Sequence, residues 1–332
     1  MRALPTVLMV SLGGTITMTR DKSGGIVPTL DADDLARSVP GLETVARIET
    51  FSPFRKPGAS LTIDDLISIG TLLNDKLAGD AAGAVVIQGT DTIEETAFVL
   101  DRLVVGDRPV IVTGAMRGPE AAGADGPGNL LASTIVAASA AARGHGVLVV
   151  LNDEIHAARH VQKSHTALPS AFKSPLCGPV GLVTEGRACF QLDIKRSIPL
   201  TTTLSSTDRA VALLKMSLGD DGRIIAALPS LGFSGAVIEG MGAGHVPAEV
   251  APLLASLAER IPVVLASRVD TGPTFTRTYA FPGSETDLLK RGLISAGSLS
   301  GLKARLLMSL LLRAGCDSAA IRQAFAETAE HI

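Results

Sequence analysis

Four short polar clusters in this chain of 332 residues each follow an apolar run and carry side chains suited to acyl or proton transfer. They are Gly13-Gly14-Thr15-Ile16-Thr17, Gln88-Gly89-Thr90-Asp91-Thr92, Thr113-Gly114-Ala115-Met116-Arg117 and Asn152-Asp153-Glu154-Ile155-His156. A fifth segment, Val161-Gln162-Lys163-Ser164-His165-Thr166, adds a lysine. Gly13 and Gly14 permit a sharp turn that leaves the Thr15 hydroxyl at the end of its run. Thr90 and Asp91 stand at the start of a helical pattern, where free N–H groups favour negative charge. Two hydroxyls, a carboxylate and a lysine suffice for acyl transfer without histidine or metal, provided the lysine is desolvated enough to take a proton. Each piece has a plainer reading when taken alone. Gly-Gly-Thr is commonly a turn, Gly-Thr-Asp-Thr an N-cap, and a lone lysine a solvated surface charge.

The elements that must position these groups follow from the hydrophobic pattern. Thr6 to Leu12, Ala84 to Gln88, Pro109 to Thr113 and Gly146 to Leu151 are continuous apolar runs, which predict strands buried on both faces of a parallel sheet. Between them, 31–39, 62–78, 92–103 and 129–142 read as helices, the first three behind polar or acidic starts. The alternation predicts an α/β protein with a larger, doubly wound N-terminal domain over 1–190. A polar stretch with Pro199 and a run of Thr and Ser marks a linker over 191–209, and a smaller C-terminal α/β domain over 210–332 follows. In that second domain 223–228, 235–239 and 262–267 are expected as strands and 247–260, 302–314 and 318–328 as helices. Ligands of open parallel sheets bind beyond the carboxyl ends of the strands, which is where the polar clusters lie.

Composition narrows the class of partner. With 46% hydrophobic residues the chain can bury a large core, and 30 basic against 33 acidic residues leave no basic window for nucleic acid. Cys177, Cys189 and Cys316 are odd in number and lack metal-ligand spacing, so neither a disulfide framework nor a zinc site is expected. His156 and His160 are four apart and could share a helix face as metal ligands do, yet no third ligand is spaced with them. Ordinary polar roles are the expectation there. Gly240 to Gly244 lacks the spacing of a dinucleotide loop. No apolar run reaches the roughly 18 to 20 residues of a membrane helix, and the run ending at Leu12 reads as a first strand rather than a secretory signal. A cytoplasmic location is expected, with no metal or organic cofactor.

Taken together, Gly14-Thr15-Ile16, Gly89-Thr90-Asp91-Thr92-Ile93-Glu94-Glu95-Thr96-Ala97, Gly114-Ala115-Met116-Arg117, Ala124-Asp125-Gly126-Pro127 with Asn129-Leu130, and Val161-Gln162-Lys163 with Thr166 resemble the bacterial L-asparaginase and glutaminase-asparaginase family. The likeness continues through Ser267-Arg268-Val269 and Thr271-Gly272 to the C-terminal helix. The resemblance implies an amidohydrolase that converts L-asparagine to L-aspartate and ammonia, with glutaminase as a secondary activity. It implies that Thr15 is the nucleophile, on a flexible lid over about residues 14–30, and that an acyl-enzyme forms on it before water hydrolyses it. It further implies that Thr90, Asp91 and Lys163 form the second catalytic group. Asp91 would also bind the substrate ammonium, and the backbone around Thr90 and Ala115 would hold the reacting amide. Which threonine loses its proton, and to what, stays open. His165, beside Lys163, is expected to tune it. A homotetramer of two close dimers is implied, with each site completed by the neighbour's C-terminal domain.

Departures from the family pattern bear on substrate choice. The lid tyrosine of the secreted members aligns with Gly25, and their substrate-clamping serine aligns with Gly58, with Ser60 two residues on as a substitute. The asparagine and glutamate sent into the neighbour's site align with His245 and with Tyr279 or nearby Arg277. A neutral or cationic group thus stands where the family has an anion, which predicts weaker asparagine binding or a preference for another ω-amide. Two other function classes compete. An ammonia-releasing subunit of a tRNA-dependent amidotransferase should carry a basic docking surface, which this acidic chain lacks. A non-catalytic amino-acid sensor would need neither nucleophile nor base.

Overall fold

The structure is a computed structural model describing residues 3–14, 16, 18–20, 26–28, 31–194, 196–202, 204–205 and 209–329. It divides into two compact units, Met1–Thr201 and Thr202–Ile332.

In the first unit the four apolar runs form the parallel strands β1 (Thr6–Ser11), β5 (Gly83–Ile87), β6 (Val110–Thr113) and β7 (Val147–Leu151); the more polar β4 (Arg47–Phe51), not expected from sequence, joins them in parallel beside β1, and β2 (Met18–Arg20) pairs antiparallel with β3 (Ile26–Pro28). The helices between them are α1 (Ala32–Ser38), α2 (Leu42–Val45), α3 (Ile63–Leu77), α4 (Ile93–Leu103) and α5 (Gly126–Ala138). Both faces of the sheet are covered, which is why the strands read as unbroken apolar runs. Val7, Met9, Val85, Ile87, Ile111 and Leu148 pack toward α1, α2 and α5, while Leu8, Val10, Val86, Val112 and Val149 pack toward α3 and α4. Capping boxes start two of the helices. The Asp31 and Thr62 side chains accept from the N–H groups of Asp34 and Asp65, whose carboxylates reach back to the cap backbones.

The sheet is mixed rather than wholly parallel. After β7, Asn152 (φ 53°) and Asp153 (φ 59°) both adopt the left-handed conformation that a two-residue hairpin needs. The chain therefore turns straight back as β8 (Glu154–Ala157), antiparallel to β7. A separate two-stranded ribbon, β9 (Gln162–Lys163) with β10 (Phe172–Lys173), follows. The antiparallel strands β11 (Gly181–Thr184) and β12 (Arg187–Phe190) then extend the large sheet to eight strands in the order β12-β11-β8-β7-β6-β5-β1-β4. His156 lies on β8, so it shares no helix face with His160. Leu200 N–H donates to the Arg102 carbonyl, and the Arg196 guanidinium to the carbonyls of Val104 and Gly106, so the chain after β12 returns to the end of α4.

The second unit is a four-stranded parallel sheet, β13 (Val211–Lys215), β14 (Gly235–Gly240), β15 (Val263–Ser267) and β16 (Ile294–Ser295), in that order. Residues Arg223–Ala227, expected as a strand, form helix α6 instead. A short apolar run does not distinguish the two, and here Gly222 (φ 72°) turns the chain and the Asp221 carboxylate accepts the Arg223 N–H. Ile225 and Leu228 then fall on one buried helical face while Ile224 is exposed. The strand that opens this unit is Val211–Lys215, hidden in sequence directly behind the polar stretch. Helix α7 (Ala251–Ala258) and α8 (Glu285–Lys290) pack into one core with α6, and α9 (Gly301–Arg313) lies on β13, β14 and β15, followed by α10 (Ser318–Ala329). No helix among the described residues is long and apolar enough to cross a membrane.

Candidate active site

Three glycines from separate loops make the floor of the site. Gly14 has φ 94°, and a Cβ there would overlap the backbone of Gly89; one at Gly58 would sit 2.9 Å from the Gly89 carbonyl oxygen. The loops after β1, β4 and β5 therefore meet backbone to backbone, a contact only glycine allows at Gly14. Gly114, after β6, belongs to the same junction, because a Cβ there would overlap the Gln88 carbonyl.

Polar side chains lock the junction. Gln88 is fully buried; its Nε2 donates to the Gly89 carbonyl at 3.2 Å and to Thr92 Oγ1 at 3.0 Å. Thr92 in turn donates its hydroxyl to the Gly58 carbonyl at 3.0 Å. On the β6 side, Asp125 accepts the N–H groups of Met116 (2.9 Å) and Arg117 (2.8 Å). Asn129, one helical turn on, donates to Asp125 and to the Gly114 carbonyl and accepts the Asn152 N–H. Sequence reasoning quoted Gln88, Asp125 and Asn129 but gave them no role. Their signal is a lone amide closing an apolar run and an Asp/Asn pair at helical spacing.

The reactive groups sit above this floor. Thr90 opens a single 3-10 turn that runs into α4, is nearly buried, and accepts a hydrogen bond from Lys163 Nζ at 3.0 Å. The same ammonium donates to Asp91 Oδ1 at 2.9 Å. Lys163 is brought there by the β9–β10 ribbon, 73 residues along the chain, and its backbone N–H donates to Glu94 Oε1. Its side chain is 16% exposed whereas that of Asp91 is 69% exposed. The carboxylate thus holds the lysine and still offers an oxygen to an incoming cation. With both neighbours as acceptors, the Thr90 hydroxyl accepts from the ammonium and keeps its own proton to donate elsewhere, and the ammonium is placed to stabilise negative charge should that proton leave.

Thr15 itself lies outside the described residues, as do most of the expected lid and Gly25. Its neighbours in sequence are described: Gly14 abuts Gly89, and Ile16 is buried against Gly126 and lines one apolar cavity with Ala115. Ala115 is buried at the strand end. Gly58 is buried within the junction, so its position offers no room for a clamping side chain, while Ser60 is exposed. His165 Nδ1 accepts from the N–H groups of Ala167 and Leu168 and closes a local turn.

In the second unit His245 and Tyr279 come together. Their rings meet edge to face at 5.0 Å, and Phe281 packs on His245 at 5.1 Å. Beneath them is Glu285, fully buried, which no sequence argument singled out. Its carboxylate accepts the N–H groups of Thr278 (2.9 Å) and Tyr279 (2.7 Å) and lies 3.2 Å from His245 Nε2. Burial alone would raise its pKa, but these donors outweigh that and hold it below the ordinary glutamate value. Arg277 is exposed.

Comparison with known proteins covers nearly the whole chain. The family model "Asparaginase, N-terminal" matches residues 6–196, and "Glutaminase/Asparaginase C-terminal domain" matches residues 210–325. A probable L-asparaginase of Deinococcus radiodurans is 35% identical over 328 residues, covering 98% of each chain. L-asparaginase 2 of Escherichia coli is 31% identical over 97% of this chain and 93% of its own. The crystal structure of a probable cytoplasmic L-asparaginase from Campylobacter jejuni superposes with a TM-score of 0.84 at 29% identity, covering 97% of this chain and 99% of that one. The chain belongs to the asparaginase family.

Proposed function

We propose that this protein hydrolyses L-asparagine to L-aspartate and ammonia, with weaker activity on glutamine, using Thr15 as nucleophile. The observation that carries the reading is the Lys163 ammonium donating at once to Thr90 and Asp91, beside the glycine that immediately precedes Thr15. The Thr15 hydroxyl attacks the side-chain amide carbon, and the oxyanion is held by backbone N–H groups at the Thr90 and Ala115 strand ends. Ammonia leaves carrying the Thr15 hydroxyl proton, an ester to Thr15 remains, and water attacks that ester beside the Thr90–Lys163 pair, one of its protons returning to Thr15 and its hydroxyl ending in the acid. Asp91 binds the substrate ammonium through its exposed side. Each step uses groups of the chain alone.

The protein acts in the cytoplasm as a tetramer of two close dimers, and the C-terminal unit of one copy completes the site of its neighbour. His245 and Tyr279 are the groups presented there. Glu285 supports the expected change in selectivity, since its carboxylate is already engaged by two backbone N–H groups and His245. A substrate ammonium at that point meets an imidazole instead of a free carboxylate. A charge-assisted hydrogen bond is worth about 1.5–3 kcal/mol, so asparagine binds more weakly than in relatives, or amides lacking the α-amino group compete well with it. The test is ammonia release from L- and D-asparagine, glutamine and simple ω-amides, beside Thr15→Ala and Thr90→Val. Loss of turnover in both variants supports the reading; full activity in either one refutes it.

A further inference from the structure

The ribbon that carries Lys163 is not hydrogen-bonded into the large sheet. Among the described residues β9 and β10 pair only with each other, with Lys163 opposite Phe172 and Gln162 opposite Lys173. An isolated two-stranded ribbon is marginal by itself, so side-chain anchors must fix where the lysine stands. On the incoming side Glu94 accepts the Lys163 N–H. On the outgoing side Phe172 is buried and two polar contacts tie the chain to β8. Lys173 Nζ lies 3.1 Å from Glu154 Oε2, and His156 Nδ1 lies 3.0 Å from Ser174 Oγ.

These two ties are unequal. Lys173 and Glu154 are 44% and 23% exposed, so solvent screens their pair. His156 is fully buried and Ser174 is 4% exposed, so neither finds a replacement partner if the bond is lost. The direction of the bond follows from the surroundings. His156 Nε2 lies 3.4 Å from Glu154 Oε2 without a hydrogen bond to it, yet a proton on that nitrogen faces the carboxylate's negative charge, and a carboxylate cannot donate. That attraction favours the tautomer with the proton on Nε2, in which Nδ1 accepts the Ser174 hydroxyl at 3.0 Å. The charged groups facing the ring are Glu154 on its own strand and Lys173 across from it; burial outweighs Glu154 and keeps the imidazole below its ordinary pKa, hence neutral.

We propose that His156 is a positioning residue for Lys163, acting through Ser174 and the paired strand to hold the ammonium at hydrogen-bond distance from Thr90. The proposal rests on the catalytic reading of Lys163 given above. Its consequence is that His156, remote from substrate, governs kcat and leaves KM nearly alone.

Three variants separate this from general destabilisation. His156→Leu removes the acceptor, His156→Asn replaces it near the Nδ1 position, and His156→Gln places its amide near the Nε2 position. His156→Leu and His156→Gln are expected to lower kcat about tenfold with KM within about twofold, and His156→Asn to restore kcat even if its melting temperature stays low. Amide hydrogen exchange over residues 162–174 should quicken about tenfold in His156→Leu and return toward the parent rate in His156→Asn. Unchanged exchange in His156→Leu, or equal kcat loss in the Leu and Asn variants, overturns the proposal. Lys163→Met run alongside isolates the two readings. If the parent protein releases no ammonia from any amide, the functional reading falls and the exchange rates alone decide the positioning role. If Lys163→Met stays fully active, positioning of that lysine has no catalytic meaning and the kcat claim falls.

Discussion

Replacing Lys163 by methionine removes the ammonium and keeps most of the stem's volume. Two hydrogen bonds disappear, to Thr90 Oγ1 at 3.0 Å and Asp91 Oδ1 at 2.9 Å, but they differ in worth. Asp91 is 69% exposed, so water takes the place of the lost partner, and that pair contributes about 0–1 kcal/mol. Thr90 is nearly buried, and its bond strengthens as negative charge develops on the oxygen. A charge-assisted bond of about 1.5–3 kcal/mol, at roughly 1.4 kcal/mol per tenfold, predicts a roughly 10- to 150-fold fall in kcat. The folded protein should melt within a few degrees of the parent, because the lost ion pair faces solvent on one side. Coupled ammonia release at saturating and limiting amide separates kcat from KM. A kcat loss under about threefold, or a rise in KM with kcat intact, would refute the assignment of Lys163 to the chemical step.

Further outcomes follow from the same geometry. Gly58→Ser, which puts a serine where the family resemblance leads one to expect a substrate clamp, places a Cβ 2.9 Å from the Gly89 carbonyl and 3.2 Å from Thr92 Oγ1. It should cost about 1–3 kcal/mol of stability and lower activity, and a gain in asparagine affinity in steady-state kinetics would show that the junction yields. Asp125→Asn turns an amide toward one of two backbone N–H donors, so it should lose about 1–3 kcal/mol in denaturant unfolding and raise KM. The pH dependence carries the sign of a buried neutral histidine. Burial holds the folded His156 below the ordinary histidine value of about 6.5, so between the two values the unfolded chain binds more protons. Its contribution to stability is present above about pH 6.5 and is lost as pH falls through that window. Melting temperature against pH should therefore drop less steeply in His156→Asn than in the parent.

The parallel strands and covered helices were legible because fully buried strands leave unbroken apolar runs, as at Ala84 to Ile87 and Val147 to Leu151. The antiparallel extension is not legible, because Asn152-Asp153 closes the apolar run Val147–Leu151 as a strand end does, and the returning strand Glu154–Ala157 is half polar. Arg223–Ala227 was misread for the opposite reason, since five residues are too few to show helical period. At the site, Thr90, Asp91 and Lys163 announce themselves by chemistry and are brought together. The groups that place them do not. Gln88, Glu94, Asp125 and His156 act through hydrogen bonds to residues 1 to 69 positions away, whose pairing single-sequence patterns do not encode. Glu285 was missed because its partners are backbone N–H groups, invisible in any spacing of side chains.

The most direct test of the account is to quench the enzyme with acid during turnover of labelled asparagine and map the label by peptide mass spectrometry. The account predicts an aspartyl ester on the peptide containing Thr15, accumulating further in Thr90→Val as deacylation slows. Label on the Thr90 peptide, or turnover with no covalent label under conditions where Thr90→Val still consumes substrate, would contradict it.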